Sequence, residues 1–123
     1  MFKMIYCPRR KPGLSRADFQ RYWRDQHAPL VRRHAPSLGV RRYTQSHTVD
    51  VPMLAMVSAA RGSTGQDYDG VAELWWDSRE ALFAALATDA AQRASRELLE
   101  DEATFIDLAN SPVFFAEEIA PVD

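Results

Sequence analysis

Residues 19–31 read Phe-Gln-Arg-Tyr-Trp-Arg-Asp-Gln-His-Ala-Pro-Leu-Val, a basic stretch with one imidazole among apolar and aromatic side chains. Positions four apart along a helix lie on one ridge. Here that ridge consists of Phe19, Trp23, His27 and Val31. The spacing therefore predicts an amphipathic helix whose histidine points toward the core or toward a cavity in it.

The helix is expected to begin after Ser15, a good N-cap, and to run to about Ala35, before Pro36. Pro29 lies inside it and lacks an N–H for the helical ladder, so we expect a bend or a restart there. A histidine beside a kink is a candidate for the wall of a pocket. Buried histidines are more often hydrogen-bonded core residues than catalytic ones, and spacing alone leaves that interpretation open.

Length and composition are those of a globular domain. The chain has 123 residues, of which 46% are hydrophobic and 26% charged, so residues 1–123 are expected to form a single domain. No apolar run is long enough to span a membrane, and the N-terminus lacks a signal-peptide pattern, which predicts a cytoplasmic protein. The one cysteine, Cys7, cannot form an intrachain disulfide or build a metal site by itself.

The charges are segregated along the chain although the net charge is only −2. Residues 1–47 hold eleven Lys and Arg against two acidic residues, and residues 48–123 hold four against fifteen. In so small a domain the two halves are expected to interleave and neutralise each other. The basic residues are not interleaved with aromatic rings that could stack on bases, so no nucleic acid partner is expected.

The rest of the chain shows four strand patterns and a second helical region. Strands are predicted at 2–6, 40–47, 69–77 and 111–119. The second helical region is expected to contain two helices, with a new N-cap at Thr88 and with acidic residues 100–102 on a solvated face. The order β-α-β-β-α-β predicts an α+β, ferredoxin-like fold, a four-stranded antiparallel sheet with its helices on one face.

The sheet face opposite the helices must carry aromatic side chains from several strands. An exposed apolar face of that size is usually covered by another subunit. We therefore expect a homodimer in which two sheets pack face to face as a dimeric α+β barrel. Each cavity would then lie between a sheet and its own helices.

Two of the strands carry polar residues that suit a cavity. On the second strand, Tyr43 and His47 share a face with Gln45 between them, which indicates either the floor of a polar cavity or an exposed strand face. On the third strand, Glu73 shares a face with Trp75. Its carboxylate needs an arginine, a tyrosine hydroxyl or water nearby, because burial without a partner costs several kcal/mol.

The connection at 48–68 is long for so small a domain. It contains Met53, Leu54 and Met56, whose adaptable apolar side chains would suit a flap over a binding site. A short helix packed for stability is equally consistent with the pattern.

Four stretches carry a family resemblance: Lys-Met-Ile-Tyr-Cys-Pro-Arg-Arg-Lys-Pro-Gly-Leu-Ser-Arg at 3–16, the helix motif at 19–31, Arg-Arg-Tyr-Thr-Gln-Ser at 41–46 and Asp-Gly-Val-Ala-Glu-Leu-Trp at 69–75. Together they resemble the EthD family, which belongs to the dimeric α+β barrel superfamily. The resemblance covers nearly the whole chain, and its most specific part is Tyr-Trp followed by His-Ala-Pro-Leu-Val.

The namesake of that family is linked to a bacterial ether-degrading monooxygenase cluster, and its relatives include fungal polyketide dehydratases and a methylmuconolactone isomerase. The resemblance implies neither a metal nor an organic cofactor. In the isomerase, a histidine of the helix motif and a tyrosine on the following strand are implicated, which carries over to His27 and Tyr43 as catalytic residues. A second isomerase histidine lies beyond that strand, and His47 is near this position.

These residues suit proton transfer. A neutral imidazole at His27 can take a proton next to a carbonyl and return it elsewhere, which is the core of an elimination or an isomerisation. Tyr43 would hold the enolate-like oxygen through its hydroxyl. An apolar cage for a ring-sized substrate is expected from Trp23, Trp75 and Phe105.

Three carboxylates, Asp69, Glu73 and Asp107, are candidates for orienting the imidazole or for a second acid/base, and spacing does not rank them. The expected substrate-binding set also includes His47, Glu73 and Asp107. The sequence favours a cofactor-independent lyase or isomerase that acts on a small cyclic or aromatic metabolite. The alternatives are a non-catalytic ligand-binding accessory protein of an oxygenase degradation pathway and a cofactor-free oxidoreductase.

Overall fold

In the computed structural model, which describes residues 1–65 and 67–123, the strands are β1 (Phe2–Tyr6), β2 (Arg42–His47), β3 (Gly70–Trp76) and β4 (Val113–Glu117). The helices are α1 (Arg16–Tyr22), α2 (Ala28–Leu38), α3 (Leu54–Arg61), α4 (Arg79–Leu86) and α5 (Asp89–Phe105). A π-helical turn, Trp23–His27, joins α1 to α2, and a 3₁₀ turn, Leu108–Asn110, precedes β4.

The four strands form one antiparallel sheet in the order β2-β3-β1-β4. This is the predicted α+β, ferredoxin-like arrangement, and the prediction is confirmed. Because side chains alternate across a strand, the register decides which residues face the helices. The core cluster joins side chains of α1, α2, α4 and α5 to one face of the sheet, represented by Ala72, Leu74 and Trp76.

Side-chain caps begin three of the helices, two of them, at Ser15 and Thr88, as predicted. The hydroxyls of Ser15, Ser78 and Thr88 each accept a hydrogen bond from a backbone N–H of the first turn, at 3.0, 3.0 and 3.1 Å. The end of the first helical region was predicted too early: α2 continues through Pro36 to Leu38 and ends at Gly39, where φ is +71°. Proline in the last turn removes a single helical hydrogen bond, and burial of Leu38 offsets that loss.

The interruption expected near Pro29 lies one turn earlier. Trp23–His27 is π-helical, and the N–H of Ala28 donates to the carbonyl of Trp23. Pro29 then lies in the first turn of α2, where a missing N–H is tolerated. A π-turn inserted into an α-helix shifts the side chains that follow it, and such turns are frequent at functional sites.

Gly70 lets β3 approach this π-turn closely. A Cβ at position 70 would lie 2.5 Å from the carbonyl oxygen of Ser46 and 2.5 Å from the ring of Trp23. Trp23 is only 2% exposed, and the ring of His47 packs against its indole at a tilt of 33°, with 4.7 Å between centroids. The absence of a side chain at Gly70 therefore allows Trp23 to fill the space beside His27.

Ion pairs join the basic first part of the chain to the acidic second part, as expected from the charge pattern. The buried carboxylate of Asp69 binds Arg10 at 2.6 Å and Arg16 at 3.0 Å. Lys3 binds Glu73 at 2.8 Å. No helix in the described residues combines the length and the apolar character needed to cross a membrane.

The connection between β2 and β3 forms α3, which has no buried residue. Met53 is 64% exposed and Met56 is 73% exposed. Neither sequence interpretation describes this segment, because α3 is not packed for stability and does not cover the cavity between sheet and helices. Its apolar side chains extend into solvent instead.

Candidate active site

A cavity of about 390 Å³ lies between the sheet and the helices α2, α4 and α5. All four strands contribute to its floor, and its walls are mainly aliphatic and aromatic. The rim beside β4 is exposed and apolar, because Leu86, Leu99, Val113 and Phe115 are between 40% and 55% exposed. The opposite end, at the π-turn, is closed.

His27 forms part of that closed end and is 5% exposed. Its Nδ1 lies 2.8 Å from Oδ2 of Asp101, whose Oδ1 accepts a hydrogen bond of 2.5 Å from the hydroxyl of Tyr22. A carboxylate only accepts hydrogen bonds, so Nδ1 carries the proton and Nε2 is left with a free lone pair. Burial lowers the pKa of His27 and outweighs the opposing effect of Asp101, which keeps the imidazole neutral at pH 7.

Glu102 is another titratable group of the cavity. Its Oε2 lies 3.8 Å from Nε2 of His27, too far for a hydrogen bond but close enough for one substrate to touch both. Burial, reinforced by the nearby charge of Asp101, raises the pKa of Glu102 to about 7. A large fraction of the molecules therefore carries a neutral carboxylic acid here at pH 7.

Tyr43 lines the cavity on β2 and is held by a chain of side-chain amides and rings. The side-chain amide of Gln45 donates to the hydroxyl of Tyr43 at 2.7 Å and to the carbonyl of Trp23 at 2.9 Å. Nε2 of His47 lies 2.8 Å from Oε1 of Gln45. Burial raises the pKa of Tyr43 to about 12, so its hydroxyl stays protonated. The predicted polar floor thus lies on this strand, although His47 is a support behind Trp23 and does not line the cavity.

The aromatic cage is only partly as predicted. Trp23 lines the cavity, and Phe105 packs against the imidazole of His27 with 5.3 Å between centroids. The prediction that Trp75 lines the cavity was wrong. Its register with Lys3 and Arg42 places it on the sheet face opposite the helices, where both cations lie over its ring. The cavity receives its neighbour Trp76 instead.

The three carboxylates proposed to orient His27 all lie elsewhere. Glu73 pairs with Lys3 on the outer face of the sheet, Asp69 binds two arginines, and Asp107 accepts a hydrogen bond from the side chain of Asn110 at 2.8 Å. Each of them is satisfied by a partner outside the cavity. The prediction that one of them orients the imidazole was therefore wrong.

The carboxylates beside His27 are instead those of Asp101 and Glu102, which the sequence analysis predicted to lie on a solvated face. A signal for them exists in the helical period: Leu98 is three or four residues before both, and Phe105 follows at the same spacing. Leu98 and Phe105 are buried positions of α5. The acidic pair between them therefore points inward.

No group of three or more His, Cys, Asp or Glu side chains in residues 1–65 and 67–123 lies close enough together to hold a metal ion.

Comparison with known proteins connects this chain to a family. The sequence profile of the EthD domain matches residues 11–109. An EthD family protein from Bacillus halodurans C-125 superposes with a TM-score of 0.63 at 22% identity, over 97% of this chain and 99% of that one.

Two further solved structures share the fold. SnoaB, a cofactor-independent oxygenase from Streptomyces nogalater, has a TM-score of 0.54 at 16% identity and covers 98% of this chain and 97% of its own. A dimeric protein of ferredoxin-like fold from Bacteroides fragilis NCTC 9343 has a TM-score of 0.55 at 8% identity, with 95% of both chains covered. At these identities the likeness is one of fold.

Proposed function

The chain belongs to the EthD family, and from its cavity we propose that it is a cofactor-independent lyase or isomerase that moves a proton on a small cyclic or aromatic substrate. One observation carries the proposal. Asp101 binds Nδ1 of His27 while Nε2 stays unprotonated in an apolar cavity large enough for a ring compound. A positioned, neutral, buried imidazole is a suitable general base near pH 7.

Two related reactions suit this arrangement. In an isomerisation, Nε2 of His27 takes a proton from a carbon beside the substrate carbonyl, the electron pair of the broken C–H bond moves into an enolate, and the imidazolium returns the proton to another carbon. In an elimination, the enolate expels a β-hydroxyl, which leaves as water with the proton held by the imidazolium. The carboxylate of Asp101 stabilises the imidazolium in both reactions.

Tyr43 and the aromatic rings support this chemistry. The hydroxyl of Tyr43 accepts its hydrogen bond from Gln45 and can donate its own proton to the enolate oxygen. Trp23 and Trp76 offer flat apolar surfaces to a ring substrate. Exclusion of water by these walls strengthens the hydrogen bonds made inside.

Exchange of carbon-bound protons tests the proposal without knowledge of the natural substrate. The probe is 2-tetralone in D₂O, and proton NMR measures the loss of its α-proton signals. The wild-type protein is expected to accelerate the exchange, and His27→Gln is expected to reduce the acceleration by roughly 10²- to 10⁴-fold, the usual contribution of a general base.

His34→Gln is the matched control. His34 lies on α2 next to Glu97 and does not line the cavity, so its loss is expected to leave exchange unchanged. Equal exchange rates for wild type and His27→Gln would refute the role of His27.

A cofactor-free oxygenase is a second candidate, favoured by the shared fold with SnoaB. The same base would remove the hydroxyl proton of an electron-rich phenol, which would then react with oxygen. An oxygen electrode with 1-naphthol as the phenol separates the two candidates, since proton transfer alone consumes no oxygen. A third possibility, an accessory ligand-binding protein, requires ring compounds to bind equally well to wild type and His27→Gln with neither exchange nor oxygen uptake.

We also propose that the chain forms a homodimer through the sheet face opposite the helices, as in the predicted dimeric α+β barrel. Phe114 lies on that face of β4 and is 49% exposed, and Ile5 is its partner on β1. The Bacteroides fragilis relative by fold is dimeric. Sedimentation equilibrium is expected to give a dimer for wild type and a monomer for Phe114→Asp, whereas a monomeric wild type would contradict the proposal.

A further inference from the structure

The carboxyl of Glu102 faces the cavity without a partner of its own. It lines the cavity, its Oε2 lies 3.8 Å from Nε2 of His27, and its side chain is 20% exposed. Among the described residues Nε2 of His27 is a polar neighbour of this carboxyl, and no hydrogen bond contributes to its pKa. A substrate that enters the cavity therefore meets this carboxyl directly.

The groups around Glu102 favour its neutral form. On its own helix the adjacent Asp101 adds a negative charge, and the π-turn presents the neutral imidazole of His27. From the sheet, Tyr6 on β1 and Tyr43 on β2 line the same cavity. No Lys or Arg is part of the lining in the described residues, so no cation is present to stabilise a second carboxylate here.

We propose that Glu102 is a catalytic acid that works in its protonated form beside the base His27, and that the cavity in consequence binds uncharged cyclic ketones or enols and rejects carboxylates. This inference rests on the proposed function of the same site. It adds a second reacting group and a class of substrate to that function.

The step balances without an external reagent. Nε2 of His27 takes the proton of the carbon beside the carbonyl, and the carboxyl proton of Glu102 passes to the carbonyl oxygen. The products are a neutral enol, an imidazolium and a carboxylate. The imidazolium then protonates a different carbon while the enol hydroxyl returns its proton to Glu102, so both groups recover their starting forms. Simultaneous donation and removal avoids a free enolate in an apolar cavity.

The same geometry excludes anions. A substrate carboxylate would lose its hydration shell against apolar walls and would lie near two acidic side chains, Asp101 and Glu102. Burial of an unpaired charge is strongly unfavourable, and like charges add to that cost. A ketone oxygen instead accepts a hydrogen bond from the neutral carboxyl, which replaces most of the hydration that it loses.

Binding of two similarly shaped probes tests the substrate class. The uncharged probe is 2-acetonaphthone and the anionic one is 2-naphthoate, titrated at pH 6 while the fluorescence of the cavity tryptophans, Trp23 and Trp76, is followed. The ketone is expected to bind at least tenfold more tightly than the carboxylate. Equal affinities would overturn the proposal, and this experiment does not depend on turnover.

The role of Glu102 in the reaction is tested with Glu102→Gln, whose amide can still donate a hydrogen bond but cannot give up a proton. Affinity for 2-acetonaphthone is expected to stay within about threefold, while exchange of 2-tetralone slows by roughly 10²-fold. The wild-type rate is expected to fall above pH 7 as the carboxyl ionises, and the variant is expected to lack that fall.

Glu100→Gln, on the exposed side of the same helix, is the control and is expected to behave as wild type. If Glu102→Gln keeps both the wild-type rate and the wild-type pH profile while His27→Gln loses exchange, the proposed function stands and the role of Glu102 is refuted. If His27→Gln retains full exchange, the proposed function fails, and the two binding probes still decide the selectivity against anions.

Discussion

Replacement of Glu102 by glutamine is expected to stabilise the protein at high pH and to have little effect at low pH. The pKa of this carboxyl is about 7 in the folded chain against an ordinary value of 4.5. The folded state therefore holds the proton over a pH range in which the unfolded state has lost it, and stability falls as pH rises from 4.5 through 7. At 1.36 kcal/mol for each pKa unit, the full effect is about 3 kcal/mol.

Urea unfolding of wild type, Glu102→Gln and Glu100→Gln at pH 4.5 and pH 8.5 measures this effect. The difference in unfolding free energy between Glu102→Gln and wild type is expected to grow by about 3 kcal/mol from the lower to the higher pH. Groups that titrate in both proteins cancel in that difference. Glu100→Gln is expected to show no such growth, since its side chain is exposed. A difference that is the same at both pH values would refute the conclusion that Glu102 is held neutral by its surroundings.

Three further substitutions test other parts of the structure. Asp101→Asn is expected to lower the rate of proton exchange by roughly 10²- to 10⁴-fold in the NMR assay, because an amide no longer fixes the tautomer of His27 or stabilises its charged form. Gly70→Ala, which forces a Cβ to within 2.5 Å of the ring of Trp23, is expected to cost about 2 kcal/mol in denaturant unfolding. Burial raises the pKa of Asp69, but its hydrogen bonds to arginines outweigh this and lower the pKa overall. The stability that the Asp69 carboxylate contributes is therefore lost on acidification. Asp69→Asn is expected to lose less stability than wild type between pH 7 and pH 3.

The fold was predictable because its signals are local. Helix caps such as Ser15 and Thr88, the alternation of the strands and the order of the elements each depend on residues close together in sequence. The inward position of His27 followed from helical spacing in the same way. Alternation has a limit, however: it shows which residues of β3 share a face but not which face meets the helices. Trp75 was therefore chosen for the cavity where Trp76 belongs.

The acidic pair of the site was missed for a different reason. Charged residues in a helix usually face solvent, and their burial is favourable only when a partner offsets the loss of hydration. The partner of Asp101 is His27, 74 residues earlier in the chain. No pattern within α5 reveals that contact. The π-turn was hidden as well, because the contacts of Trp23 with Gly70 and Gln45 join residues far apart in the sequence.

Two neighbouring carboxyls on α5 thus serve opposite purposes, and their partners explain the difference. Asp101 receives hydrogen bonds from Tyr22 and His27. Glu102 has no such donor, and the charge of Asp101 beside it raises its pKa further. The negative charge of Asp101 thus helps to keep Glu102 protonated, and its hydrogen bond to Nδ1 holds His27 in the tautomer that can accept a proton. An acid and a base can coexist 3.8 Å apart without neutralising each other because burial favours the neutral form of each, and it outweighs the opposing effect of Asp101 on His27.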